Sequence, residues 1–129
     1  MDKNERGDLL QQEGYRLMGA AFEVYNEMGQ GFLEEVYQES MEKELALRSI
    51  PFQSKVGLKI FYKKSPLEKR YIPDLIAFEG IIVELKAVQQ LAAEHEAQLL
   101  NYLKATGMRV GYLVNFGSPH KLEWKRMVR

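Results

Sequence analysis

The sequence predicts an α/β fold with a central mixed β-sheet flanked by helices. Two amphipathic helical segments come first, three β-rich segments separated by short turn signals follow, and a further helix leads to a fourth strand. Strands joined by short turns form a meander, whereas a helix between two strands marks a crossover, so one sheet with both strand orientations accommodates the whole order.

From Asp8 to Met28, Leu10, Leu17, Met18, Ala21, Tyr25 and Met28 recur at helical spacing, and Gly29 supplies a stop. Beyond the Gly29-Gln30-Gly31 break, a second helix is expected from Phe32 to Arg48. It turns Leu33, Val36, Tyr37, Met41 and Leu45 inward and ends before Ile50-Pro51. Gln53 to Tyr62 sets Val56, Leu58, Ile60 and Tyr62 against Lys55, Gly57, Lys59 and Phe61, the alternation of a half-buried strand. Lys63-Lys64-Ser65-Pro66 turns the chain into a second strand, Glu68 to Phe78. Glu79-Gly80 turns it again into a third, Ile81 to Val88, rich in β-branched residues. A helix from Ala92 to Thr106 stops at Gly107, and Val110, Tyr112 and Val114 mark the fourth strand. Leu122, Trp124, Arg126 and Val128 alternate in a tail fit for an edge strand.

A chain of 129 residues, 46% hydrophobic and 28% charged, suits a single globular domain over residues 1–129. The charged start, Met1 to Arg6, leads into no apolar run, so neither a secretory signal nor a membrane span is expected and the cytoplasm is the expected compartment. Cysteine is absent, which excludes disulfides, thiolate zinc sites and cysteine nucleophiles and leaves oxygen or imidazole as metal ligands. Eighteen basic residues balance eighteen acidic ones, so no global basic field draws in nucleic acid. A local basic rim and a bound cation can still handle phosphates.

On the third strand Glu84 and Lys86 share a face, because side chains alternate along a strand. Two charged groups in a run of Ile, Val and Leu need partners, and an ion pair at a sheet end would meet that need as well as a catalytic site would. Asp74 interrupts the preceding apolar run beside Pro73, where a turn or bulge would also explain it. A two-residue turn at Glu79-Gly80 would pair Leu75 with Glu84 and send Asp74 to the wrong face. A shared site therefore requires a three-residue loop, with Gly80 left-handed, or a bulge near Pro73-Asp74. Two carboxylates on neighbouring strands offer hard oxygens suited to Mg²⁺ or Mn²⁺, and a nearby lysine can orient an attacking water and offset phosphate charge.

Pro73-Asp74, nine intervening residues and Glu84-Leu85-Lys86 resemble the signature of the PD-(D/E)xK nucleases. Gln98 and Tyr102, four apart on one helix face, resemble the QxxxY element of the RecB-like members, although a polar helix edge with a core tyrosine reads the same way. Gly31-Phe32-Leu33-Glu34-Glu35-Val36-Tyr37 resembles the motif of the GxxExxY proteins, a branch of that superfamily. Helical projection sets Glu34 on the apolar arc between Met41 and Leu45, and Glu44 also falls within it.

The resemblance, from about Gly19 to Gly117, implies a restriction-endonuclease-like core: a mixed sheet with a three-stranded meander, a crossover helix and further strands. It also implies a metal held by Asp74, Glu84 and the Leu85 carbonyl, with Glu34 binding directly or through water. Lys86 would position the nucleophilic water, and Gln98 and Tyr102 would steady Lys86 or the substrate backbone. His95 reads as a surface or capping group, and Lys55, Lys59, Lys63, Lys64, Lys69 and Arg70 as a solvated hairpin able to touch phosphates. The function expected is Mg²⁺- or Mn²⁺-dependent cleavage of nucleic acid, DNA before RNA, without membrane association. A homodimer would bring two sites to two strands. The alternative is a catalytically inactive nuclease-fold module that binds nucleic acid or a protein partner.

Overall fold

The computed structural model describes residues 9–129. In order these form α1 (Gln11–Met28), α2 (Glu34–Leu47), β1 (Phe52–Ser54), β2 (Leu58–Tyr62), β3 (Ser65–Tyr71), β4 (Leu75–Ala77), β5 (Ile81–Lys86), α3 (Ala93–Thr106), β6 (Val110–Asn115) and β7 (Glu123–Val128). Met1 to Asp8, which carry the charged start and the expected first residue of the first helix, lie outside the described residues.

Five strands make one sheet in the order β1-β4-β5-β6-β7, and β2 and β3 make a separate two-stranded one. β4 runs antiparallel to β1 and β5, β5 and β6 run parallel, and β7 closes the edge antiparallel to β6. This is the mixed, helix-flanked sheet of a restriction-endonuclease-like core, with α3 as the crossover and β7 as the expected edge strand.

Both faces of the central strands are covered, which is why β5 and β6 read as nearly unbroken apolar runs. On one face Leu17, Ala21 and Val24 of α1 and Tyr37, Met41 and Leu45 of α2 pack against Leu75, Ile81, Val83, Leu85 and Val114. On the other, Leu99 and Leu103 of α3 meet Ile82, Leu113 and Tyr71, and Leu58 and Ile60 of the hairpin close over them. Each such side chain contributes about 1.5–3 kcal/mol by leaving water. Among the described residues no helix is long and apolar enough to cross a membrane.

The meander differs from expectation in one way. The segment expected as one strand from Gln53 to Tyr62 is two, β1 in the main sheet and β2 in the hairpin, and the segment from Glu68 to Phe78 is likewise divided into β3 and β4. Lys55 adopts a left-handed backbone, φ 55°, which ends β1. Pro73, without an N–H, interrupts the other strand. The outer halves of both segments therefore peel away together as the β2–β3 hairpin, while the inner halves, β1 and β4, pair with each other and β4 pairs with β5.

Candidate active site

β4 and β5 pair Leu75 with Val83 and Ala77 with Ile81, which leaves Phe78, Glu79 and Gly80 as a three-residue loop. That is the first of the two devices the sequence required. Its left-handed residues are Phe78 (φ 55°) and Glu79 (φ 60°) rather than Gly80, and Gly80 N donates to Ala77 O at 3.1 Å. Positive φ at both central positions is the geometry of a primed hairpin turn, whose twist matches the strands, so the strain falls before Gly80. At Gly80 a Cβ would lie 2.9 Å from Leu10 Cδ1, the end of a side chain that can shift to make room.

Continuing this register by one residue sets Asp74 opposite Glu84. Asp74 N donates to Glu84 Oε1 at 3.1 Å, and Leu85 N donates to Asp74 Oδ2 at 2.7 Å. Each carboxylate is thus fixed by backbone next to the other. Burial and the neighbouring Asp74 charge together push the Glu84 carboxyl above the usual carboxylate range.

Asp74 is held on its outer side as well. Lys55 Nζ donates to Asp74 Oδ1 at 2.5 Å, Lys55 N donates to Asp74 O at 3.3 Å, and Gln38 Nε2 donates to the same carbonyl at 2.9 Å. The bond to Asp74 raises the Lys55 ammonium above the usual lysine range, and the charges of Asp74, Glu84 and Glu34 act in the same direction. Gln38 is itself tied to Glu42, which accepts from Ser54 Oγ, so α2, β1 and the Asp74 peptide form one network.

A hollow of roughly 430 Å³ opens here, lined by Glu34, Gln38, Lys55, Asp74 and Leu85 among others. Glu34 reaches it from the first position of α2 but is exposed, not turned into the core as the helical projection implied. At a helix start no preceding turn covers the side chain. Tyr37 of the same motif is fully buried, stacks on Phe116 and donates to Gly29 O at 2.5 Å, which fixes the loop leading to Glu34.

Glu84 and Lys86 face the α3 side, with Ile82. They line a hole of about 10 Å³ with Tyr71, His95, Gln98 and Tyr102, about the room one water needs. Tyr102 is half-buried and stacks on Tyr71, ring centroids 3.9 Å apart, while Gln98 is exposed at the rim. The Tyr71 hydroxyl is buried beside the Glu84 carboxylate without a hydrogen bond of good geometry, and burial together with the Glu84 charge and contact raises its pKa far above the ordinary tyrosine range. His95 acts as a cap: its Nδ1 accepts from Ala92 N at 3.0 Å, which leaves the proton of the neutral ring on Nε2.

The expected site residues therefore fall in two groups. Glu34, Asp74 and Leu85 line the α2-side hollow, and Glu84, Lys86, Gln98 and Tyr102 line the α3 side. The bonds from Asp74 N to Glu84 and from Leu85 N to Asp74 join the two groups. Among the described residues no three acid or imidazole side chains gather closely enough to hold a metal alone. The donor chemistry still fits Mg²⁺ or Mn²⁺, which need only one or two carboxylates when water and substrate phosphate complete the shell. The Lys55 ammonium on Asp74 marks that place as one that draws a cation.

Lys55, Gln38, Tyr71 and Asn115 belong to this region and were missed as site residues in the sequence. Asn115, fully buried, accepts from Val88 N and Gly117 N and donates to Val88 O and Glu123 Oε1, clamping the segment that follows Lys86. An asparagine ending an apolar strand was the available signal.

A family model described as the PD-(D/E)XK nuclease superfamily matches residues 11–127, from the start of α1 into β7. No curated protein and no solved structure matches the chain.

Proposed function

Because the chain belongs to the PD-(D/E)XK nuclease superfamily, we propose that it is a divalent-metal-dependent nuclease hydrolysing phosphodiester bonds in DNA, in the cytoplasm, with Asp74, Glu84 and Lys86 at its centre. The observation that carries this reading is the pair of backbone hydrogen bonds that sets the two carboxylates side by side at the open end of the β4–β5 hairpin, Asp74 N to Glu84 Oε1 and Leu85 N to Asp74 Oδ2, with Lys86 on the same strand face as Glu84.

In this reading Asp74, Glu84 and the Leu85 carbonyl would hold Mg²⁺ or Mn²⁺, with Glu34 binding directly or through water. Such an ion supplies Lewis-acid polarisation of the scissile phosphate. Lys86 orients the attacking water and offsets charge that builds on the phosphoryl oxygens. Gln98 and Tyr102 steady the lysine or the substrate backbone from α3. Asp74 is kept from turning by the bonds that Gln38 and Lys55 make to its carbonyl.

One observation favours a second reading, a nuclease-fold module that binds nucleic acid or a protein without turnover: Asp74 already has a cation, the Lys55 ammonium. Incubation of the purified protein with single-stranded, duplex and branched DNA in Mg²⁺ or Mn²⁺ separates the two. The nuclease reading expects cleavage that Glu84→Ala and Lys86→Ala each abolish; cleavage that persists in either variant, or none in the wild type, overturns it.

A further inference from the structure

We propose that the β2–β3 hairpin is the surface on which this chain holds a single-stranded nucleic-acid segment, with phosphates on Lys59, Lys63, Lys64 and Arg70 and a base against Tyr62. The choice of partner rests on the nuclease reading, whereas the surface stands on its own geometry.

Residues 58–71 carry five basic side chains and one acid, a charge of +4 in a chain whose total is zero, so the rest carries −4. Phe61 through Arg70 are exposed without a break. Among the described residues none of these five cations takes part in an ion pair. Lys59 and Arg70 stand directly opposite each other in register, an arrangement of like charges that weakens a hairpin. The Arg70 stem lies against Gly57, where a Cβ would come within 3.2 Å of Arg70 Cδ. A polyanion running along this face relieves the repulsion that the protein leaves uncompensated.

The turn carries the same message. Lys63 (φ 48°) and Lys64 (φ 67°) both occupy the left-handed region, in a primed turn that asparagine and glycine fill with less strain. Two lysines at the tip put charge where foldability asks for something else. Beside them Tyr62 is 63% exposed, and Phe61 is 45% exposed. Lysines along a free edge discourage strand pairing, but that role needs no exposed aromatic ring, whereas base stacking does; Lys63 Nζ, 5.6 Å over the Tyr62 ring, holds a cation beside that platform. The hairpin also leads into the candidate active site, because its last residue, Tyr71, stacks on Tyr102 and lies beside Glu84. At the usual rise per residue the tip lies about 20 Å from Tyr71.

The test is fluorescence anisotropy on the full chain in EDTA, with a labelled oligothymidylate of about 20 nucleotides and with the matching duplex. Salt is varied from about 50 to 200 mM. The single strand should bind more tightly. Lys59→Gln/Lys63→Gln/Lys64→Gln should lose about tenfold or more in affinity and lower the salt slope by about 2, while Lys→Arg at the same positions preserves both. Tyr62→Ala should weaken single-strand binding about tenfold and Tyr62→Phe should not. Lys59→Gln alone removes a like-charge pair, so it should melt no lower than wild type yet still bind more weakly. A triple variant with wild-type affinity and slope, equal loss in the Arg set, or binding to anionic vesicles in place of the oligonucleotide overturns the proposal. Oligonucleotide bound through the hairpin but never cleaved with Mn²⁺ defeats the nuclease reading and leaves this one standing; cleavage indifferent to the hairpin does the reverse.

Discussion

Asp74 and Glu84 face each other across the open end of the β4–β5 hairpin, and the backbone beside each binds the carboxylate of the other: Asp74 N to Glu84 Oε1 at 3.1 Å, Leu85 N to Asp74 Oδ2 at 2.7 Å. Two acids held this way repel each other. A cation between them would turn the repulsion into attraction, which is the physical basis for placing the site here.

Glu84 should cost stability at neutral pH. Its folded pKa lies above the usual carboxylate range, chiefly through burial and then through Asp74. The group's contribution is therefore fully present below pH ~4.5 and is lost as pH rises through the folded pKa. Glu84→Gln keeps an oxygen for Asp74 N and removes the charge. The variant should melt with the wild type at acid pH and roughly 2–5 °C higher near pH 7, with cleavage abolished. Thermal unfolding from acid to neutral pH checks this; a variant that melts lower at neutral pH contradicts it.

Lys55 competes with any other cation for Asp74. Lys55→Met should tighten Mn²⁺ binding severalfold in a calorimetric titration, because Asp74 Oδ1 is released. The lysine side chain is 55% exposed, so the cost to folding should stay below about 1 kcal/mol. Unchanged or weaker Mn²⁺ affinity speaks against the competition.

Tyr71 is a stacking residue first. Tyr71→Phe keeps the ring on Tyr102 and removes a hydroxyl whose contact with Glu84 falls short of good hydrogen-bond geometry, so stability should shift by less than about 1 kcal/mol. Tyr71→Ala should lose about 3–5 kcal/mol. Chemical denaturation of both variants measures the difference. Equal losses would mean that the hydroxyl, not the ring, carries the stability.

Asn115 ties Val88 to Glu123 and Gly117 with every polar atom of its side chain in use. Asn115→Ala leaves those buried groups unpaired and should cost about 3 kcal/mol. Amide exchange should rise first at Val88 and Gly117, and protection unchanged at both positions would contradict the clamp.

The sequence made the architecture legible where pattern and physics agree. The crossover helix before Val110 and the edge strand through Trp124 follow from periodicity, and register required either a three-residue loop before Ile81 or a bulge at Pro73-Asp74, of which the chain uses the loop, Phe78-Glu79-Gly80. Its failures have a common cause. Lys55 reads as one more solvated lysine on an alternating strand, and nothing local says that a left-handed residue there breaks the strand and turns its ammonium onto Asp74. Tyr71 reads as an ordinary strand aromatic until α3 brings Tyr102 over it. Glu34 projects onto the apolar arc of an ideal helix, but as the first helical residue it has no turn above it and stays exposed. Contacts between residues far apart in the chain are invisible to spacing alone, and the surroundings of the candidate site are built from such contacts.

A crystal soaked in Mn²⁺ tests the central claim most directly. An anomalous peak within bonding distance of both Asp74 and Glu84, with Lys55 moved away from Asp74, is the result this account predicts. A fully occupied Lys55–Asp74 ion pair and no peak near Glu84 at millimolar metal would contradict it.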